Sequence, residues 1–364
     1  MIIARINKIV SFLLIIIIFS GCLKNEELNL EFNSYEPVNI NDGLFISNPD
    51  IENINSSMLT NIYNDIYDDD NLWSMRSLLV FKNGKLVSEA YFKDEQDITN
   101  RHIIWSCTKQ VIGVLTGIAL DKGLINNIND PISDYFDTEL TNHPDKGNIS
   151  IKNLLTMQSG IDYDNGVQTD EILRRIPGSS VDLILDQQMN FPPGTEFHYN
   201  DGNPHLMSAL IQKVTNKATD EWADEILFSK LELTNYNWVR YMDGITLGGF
   251  GIETSPRELS KIALCVADGG RWKGQQVVSE NWINEMVSPQ IQIDDFEYSF
   301  GYFWWVDEAR DIFFMWGVGG QFAFIVPAKR LLVVMTAFPN TKGEYEIQAD
   351  EALLIVDRII DASF

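Results

Sequence analysis

Ser106 and Lys109 stand three residues apart in IIWSCTKQVIGVLTGIALDKG, residues 103–123. On a helix, positions i and i+3 share a face. A hydroxyl would then lie beside an amine, a pairing of candidate nucleophile and base suited to acyl transfer. The rival hydrolase signatures G-x-S-x-G and H-E-x-x-H are absent from the chain. A lone S-x-x-K is weak evidence, because a chain of this length supplies roughly one by composition alone. Taken alone, Ser106 reads as the cap of a core helix and Lys109 as a snorkelling side chain. The head of a helix, however, gathers backbone N–H groups and the positive end of the dipole. Cys107 adjoins the pair but sits one step off its face, and Cys107 and Cys265 both read as buried free thiols. The four histidines, 102, 143, 198 and 205, lack metal-ligand spacing, so neither a metal site nor a cofactor is expected.

The elements that must position this pair follow from periodicity. SLLVFKNGKLVSEAYF, residues 77–92, reads as a β-hairpin around Asn83-Gly84. From 103 to about 290 apolar residues recur at helical spacing, in segments 106–122, 151–158, 180–188, 204–216, 219–229, 255–268 and 279–288. Pro256 after Thr254 marks a helix start, and Gly269-Gly270 its end. Strand-like aromatic and β-branched runs follow at 300–308, 311–318, 321–328 and 330–338, then a helix over about 345–361. The expected fold is therefore mixed α/β of the α+β kind. One antiparallel sheet is built from both chain ends and flanked by helices, with an all-helical lobe inserted between them.

Charge and the N-terminus bound the setting. The chain has 364 residues and a net charge of −25, which leaves no basic stripe for nucleic acid. Arg5 and Lys8 precede the apolar run at 9–19, which is too short for a usual membrane span. Ser20, Gly21 and Cys22 follow, and the whole resembles a bacterial lipoprotein signal with Cys22 as the lipidated residue. Residues 1–21 are thus expected to be removed, with 22–55 forming a polar, acidic tether and 56–364 the catalytic domain. Within that domain the sheet lobe is expected at about 56–102 and 290–364, and the helical lobe at about 103–289. The expected location is the bacterial envelope, lipid-anchored on the periplasmic or extracellular face.

The motifs, taken together, resemble the serine β-lactamase and penicillin-binding-protein superfamily. They are most similar to its class C β-lactamase-related hydrolases, which include esterases and 6-aminohexanoate-dimer hydrolases. The resemblance spans about residues 70–360 and rests on WSCTKQVIGVLTGIALDKG, IKNLLTMQSGIDYD, FPPGTEFHYNDGNPHLMSALIQKVT, GGFGIETSPRELSKIA, YSFGYFWW and WGVGGQFAFIVP in order. It implies Ser106 as the acylated nucleophile, Lys109 as the amine that helps remove its proton, and Tyr199 as the phenol that carries the proton to the leaving group. Tyr163 is expected to line the cleft and Trp316 to form a substrate wall. The resemblance also locates the oxyanion hole at the Ser106 N–H and an N–H near Gly319-Gly320.

Two departures from the superfamily pattern bear on substrate. Its second motif, often Tyr-x-Asn, is here Tyr199-Asn200-Asp201, and an ionised Asp accepts hydrogen bonds but cannot donate them. Asp201 can fix Lys109, while Asn200 or Asn203 is left to supply an amide donor. The third motif, Lys-Thr-Gly, aligns with Gly317-Val318-Gly319, so the cation that would meet a substrate carboxylate is missing. These changes point to a small neutral ester or amide as substrate. A β-lactamase or D,D-peptidase is the alternative enzyme, and a catalytically inactive envelope ligand-binding protein the alternative of another kind.

Overall fold

Alternating apolar residues on either side of Asn83-Gly84 fold into the hairpin that anchors the sheet. In the computed structural model, which describes residues 35–294, 296–338 and 346–364, helix α1 (Ser56–Asp68) precedes β1 (Met75–Lys82) and β2 (Lys85–Tyr91). Asn83 and Gly84 both take positive φ, as a tight right-twisted hairpin turn requires. The leader and Cys22 lie outside the described residues.

The middle of the chain is largely helical. A short strand, β3 (His102–Ile103), leads into α2 (Cys107–Asp121), followed by α3 (Ile151–Leu155), α4 (Asp170–Leu173), α5 (Ser180–Leu185), α6 (Gly202–Thr215) and α7 (Thr219–Ala223). The segment expected as one helix over 219–229 instead passes into a π turn at Asp224–Phe228. Strand β5 (Ile252–Thr254) pairs with β3 on one side and with β4 (Tyr236–Trp238) on the other. Helix α8 (Pro256–Ala267) begins where Ser255 accepts from the Glu258 N–H, and stops before Gly269 and Gly270, both at positive φ.

After a small hairpin, β6 (Arg271–Trp272) and β7 (Gln275–Gln276), helix α9 (Glu280–Met286) returns the chain to the sheet. Strands β8 (Ile291–Gln292), β9 (Ser299–Phe300), β10 (Trp305–Asp307), β11 (Ile312–Gly317), β12 (Gln321–Val326) and β13 (Leu331–Ala337) then precede α10 (Ala349–Asp361). The large sheet has the order β2-β1-β13-β12-β11-β10-β9-β8, so the N-terminal hairpin joins the last strand, β13, through β1. The run 300–308 divides into β9 and β10, with Phe303 at φ 63 in the bend. Gly301 permits that bend, since a Cβ there would lie 2.2 Å from the Met286 carbonyl oxygen.

Residues 35–55, expected as a tether, are instead part of the body. The chain lies along the open edge of β2, where Leu86 donates to Phe45 O and Ser47 donates to Leu86 O. Arg257 on α8 is buried and grips this segment, reaching Asp42 at 3.0 Å and Val38 O, with Glu89 of β2 as its other partner. A few anchors, Ile54 and that guanidinium among them, outweigh the polar composition that suggested a solvated linker.

The centre of the fold is α2, whose residues 107–119 are all buried. Its glycines allow close packing: a Cβ on Gly117 would lie 2.0 Å from the Trp282 ring of α9. The Trp282 indole N–H donates to Gly113 O at 3.0 Å, which locks the two helices together.

Candidate active site

Trp105 sets the entry to α2. It takes φ 47, a strained region for a bulky residue, and so turns the chain sharply between β3 and the helix. Ser106 follows at φ −63 and makes no capping bond to α2 with its side chain. Its Oγ accepts a hydrogen bond from Lys109 Nζ at 2.8 Å instead.

Lys109 is fully buried, and its Nζ also donates to Asp201 Oδ1 at 2.6 Å and to Gly249 O at 2.8 Å. Three ammonium protons thus meet three acceptors. Burial works against the charge, but Asp201 and then Tyr199 outweigh it, so the Lys109 ammonium is held above its ordinary pKa. The Tyr199 ring centroid lies 4.9 Å from Lys109 Nζ, which brings the phenol beside the Ser106–Lys109 pair. Burial raises the phenol's pKa, and Lys109 offsets part of that rise.

Asp201 is held in turn. Its Oδ2 accepts from Thr169 Oγ1 at 2.8 Å, and its own N–H donates to Asn165 Oδ1 at 2.9 Å. Gly249 must be glycine for its carbonyl to reach Lys109, because a Cβ there would sit 2.8 Å from Asp201 Cβ. Thr169, Asn165 and Gly249 were not singled out from sequence. The Gly248-Gly249 doublet was a signal of close approach, whereas nothing distinguished Thr169 or Asn165 from other loop residues.

Several expected site residues stand elsewhere. Tyr163 is buried, with its hydroxyl 3.1 Å from Thr169 Oγ1 and its ring against Gly202. It buttresses the Asp201 support rather than lining the cleft. Asn200 is buried, donating to His198 O and accepting from the Asn203 N–H, both at 2.8 Å, so its amide braces the loop. Asn203 is buried as well, its amide directed at Met157 Sδ.

On the strand side, Gly317 comes against the head of α2: a Cβ there would lie 2.3 Å from Ile104 O and 3.3 Å from Cys107 N. Gly319 donates its N–H to Glu346 at 2.6 Å, and Gly320 faces Ala337 and Ile347. The Gly319 N–H is thus taken up by a carboxylate, and of these three glycines it is Gly317 that abuts the head of α2. The positive φ of Gly319 and Gly320 serves the β11–β12 turn. Trp316 is half-buried and continues an aromatic wall, 5.2 Å from Trp305, which lies 5.5 Å from Tyr199. Exposed Phe296 packs on the same Trp305.

Cys107 is fully buried, and burial pushes its thiol well up, as it does Cys265, raised to about 12. Burial pulls His205 down to about 4, so it is a neutral imidazole near pH 7, 2.7 Å from Ser180 Oγ. Among the described residues no group of three or more His, Cys, Asp or Glu is placed to hold a metal.

The Beta-lactamase family model matches residues 76–357. The chain belongs to the Beta-lactamase family. The 6-aminohexanoate-dimer hydrolase of Paenarthrobacter ureafaciens is 24% identical over 315 residues, covering 79% of each chain. Among solved structures, a family VIII carboxylesterase superposes with a TM-score of 0.66 at 17% identity, over 85% of this chain and 98% of the other. A penicillin binding protein from Bacillus halodurans does so with a TM-score of 0.61 at 17% identity, over 82% and 98%. These likenesses fix the fold of this Beta-lactamase family member as that of the β-lactamase-type hydrolases. The expected sheet from both chain ends agrees with it.

Proposed function

We propose that this chain is a serine hydrolase that cleaves a neutral ester or amide through an acyl-enzyme on Ser106. The observation that carries the reading is the Lys109 ammonium, bridging Ser106 Oγ and Asp201 in a buried site against Tyr199. Both Lys109 and Tyr199 are held in their protonated forms. Catalysis then draws on the minor form in which the pair has lost one proton. In that form the Ser106 hydroxyl gives its proton to the Lys109 amine as Oγ attacks the substrate carbonyl. Tyr199 passes the proton to the departing oxygen or nitrogen. Water reverses the sequence and frees Ser106.

The developing oxyanion would be met by the Ser106 N–H and the first N–H beyond Gly317. Strand β11 ends on Gly317 at the position where a carboxylate-binding cation would stand. The aromatic wall of Trp316 and Trp305 favours an uncharged substrate there.

A panel of p-nitrophenyl esters, nitrocefin and the 6-aminohexanoate dimer tests the reading. Ester or dimer hydrolysis that disappears in Ser106→Ala supports it. Burst hydrolysis of nitrocefin with inert esters would instead favour a β-lactamase, and no turnover of any member a binding protein.

A further inference from the structure

Strand β12 runs from Gln321, at the active-site end, to Val326 at the far end of the sheet. That span is roughly 17 Å at the usual strand rise. At the far end lies a cavity of about 320 Å³ that shares no lining residue with the site around Ser106. Its floor is apolar, formed by Phe81, Leu264, Ile325 and Leu332, all of them buried. Its mouth is closed in by tight turns, with Asn83, Lys273 and Arg330 all in the left-handed region.

Three cations, Arg271, Lys273 and Arg330, line this mouth against one acid, Asp268. That balance is unusual in a chain with 52 acidic and 27 basic residues. Arg271 is committed to Glu280 and Lys273 to Glu232, each at 2.7 Å. Arg330 has no ion pair among the described residues, and neither do its neighbours Lys329 and Lys82. Lys82 Nζ donates to Lys329 O and Ser363 Oγ, and Lys329 Nζ to Ser363 O, so carbonyl and hydroxyl oxygens stand where carboxylates would. The ammonium of Lys82 is depressed by burial and then by the charges of Lys329 and Arg330. Of the three mouth cations Arg330 is thus the one without a carboxylate partner among the described residues, and it stands beside an apolar pit.

We propose that the cavity is a second ligand site, for a medium-chain carboxylate. Its alkyl chain lies on the Phe81–Leu332 floor, and its carboxylate pairs with the Arg330 guanidinium. A planar guanidinium suits a carboxylate bidentately. The volume falls in the range of small-molecule pockets. The inference is independent of the chemistry at Ser106.

Isothermal titration of the full chain with decanoate, below the concentration at which it forms micelles, tests the proposal. One saturable site is expected. Arg330→Gln should weaken it by at least about tenfold, since a hydrogen bond to a charged group is lost. Ala267→Phe, at an exposed position on the cavity wall, should abolish binding by filling the pit. Decanol, which lacks the charge, should bind the wild type more weakly than decanoate. Absence of saturable binding, or a decanoate affinity that Arg330→Gln leaves unchanged, overturns the proposal. Circular dichroism of both variants verifies that they are folded.

Discussion

Replacing Asp201 by Asn probes the electrostatics of the site with little change of shape. The amide oxygen still accepts from Lys109 Nζ, and the amide nitrogen faces Thr169 Oγ1, which can accept. What disappears is a full negative charge 2.6 Å from the ammonium. At an effective dielectric constant near 20, such a pair is worth on the order of 6 kcal/mol, an upper bound before desolvation is counted. Contacts of this kind ordinarily move a titration by about 1–3 pH units. The sign is fixed: Asp201 stabilises the charged amine, and the proposed base is the neutral one. In the wild type, kcat/KM should therefore climb with pH through and above neutrality. In Asp201→Asn that rising limb should move down by about 1–3 pH units. The other groups near Nζ are Tyr199, the neutral Cys107 thiol and, beyond Asp201, His205, which is uncharged over most of this range. Steady-state hydrolysis of a p-nitrophenyl ester, corrected for spontaneous breakdown at each pH, supplies the profile. A limb that stays in place or moves up would refute a neutral Lys109 as proton acceptor.

Two further substitutions test the scaffold. Gly117→Ala drives a methyl into the Trp282 ring and should destabilise the fold by about 1–3 kcal/mol, read as a lower urea midpoint with an unchanged slope. His205 has a folded pKa of about 4 against 6.5 for the free side chain, so below pH 6.5 the unfolded chain binds a proton that the folded chain refuses. It therefore costs roughly 3 kcal/mol of stability as pH falls from 6.5 to 4. His205→Gln should flatten that part of the stability profile, and an unaltered slope would mean that another group carries it.

Much of this architecture was legible because it is local. The Asn83-Gly84 hairpin, the Pro256 start and Gly269 stop of α8, and the apolar run of α2 each announce themselves within a few residues. Ser106 and Lys109 fall into the same class, being one helical turn apart. The support of Lys109 was not legible, because Gly249 O comes from a loop and Thr169 from a π turn over Asn165–Thr169, both far away in sequence. Polar composition suggested that residues 35–55 stay in solvent, yet one buried guanidinium and the free edge of β2 hold them. At Asn200 and Tyr163 the residue types suited a cleft, but backbone geometry turned both side chains inward. Side-chain direction in a loop depends on the whole fold, and a motif does not encode it.

The central claim is that Ser106 Oγ becomes acylated. Reaction with a fluorophosphonate probe, followed by intact-protein and peptide mass spectrometry, tests it most directly. One adduct is predicted, on the peptide that carries Ser106, with none in Ser106→Ala and slow formation in Lys109→Ala. Equal labelling of wild type and Ser106→Ala, or an adduct on another residue, would contradict the account.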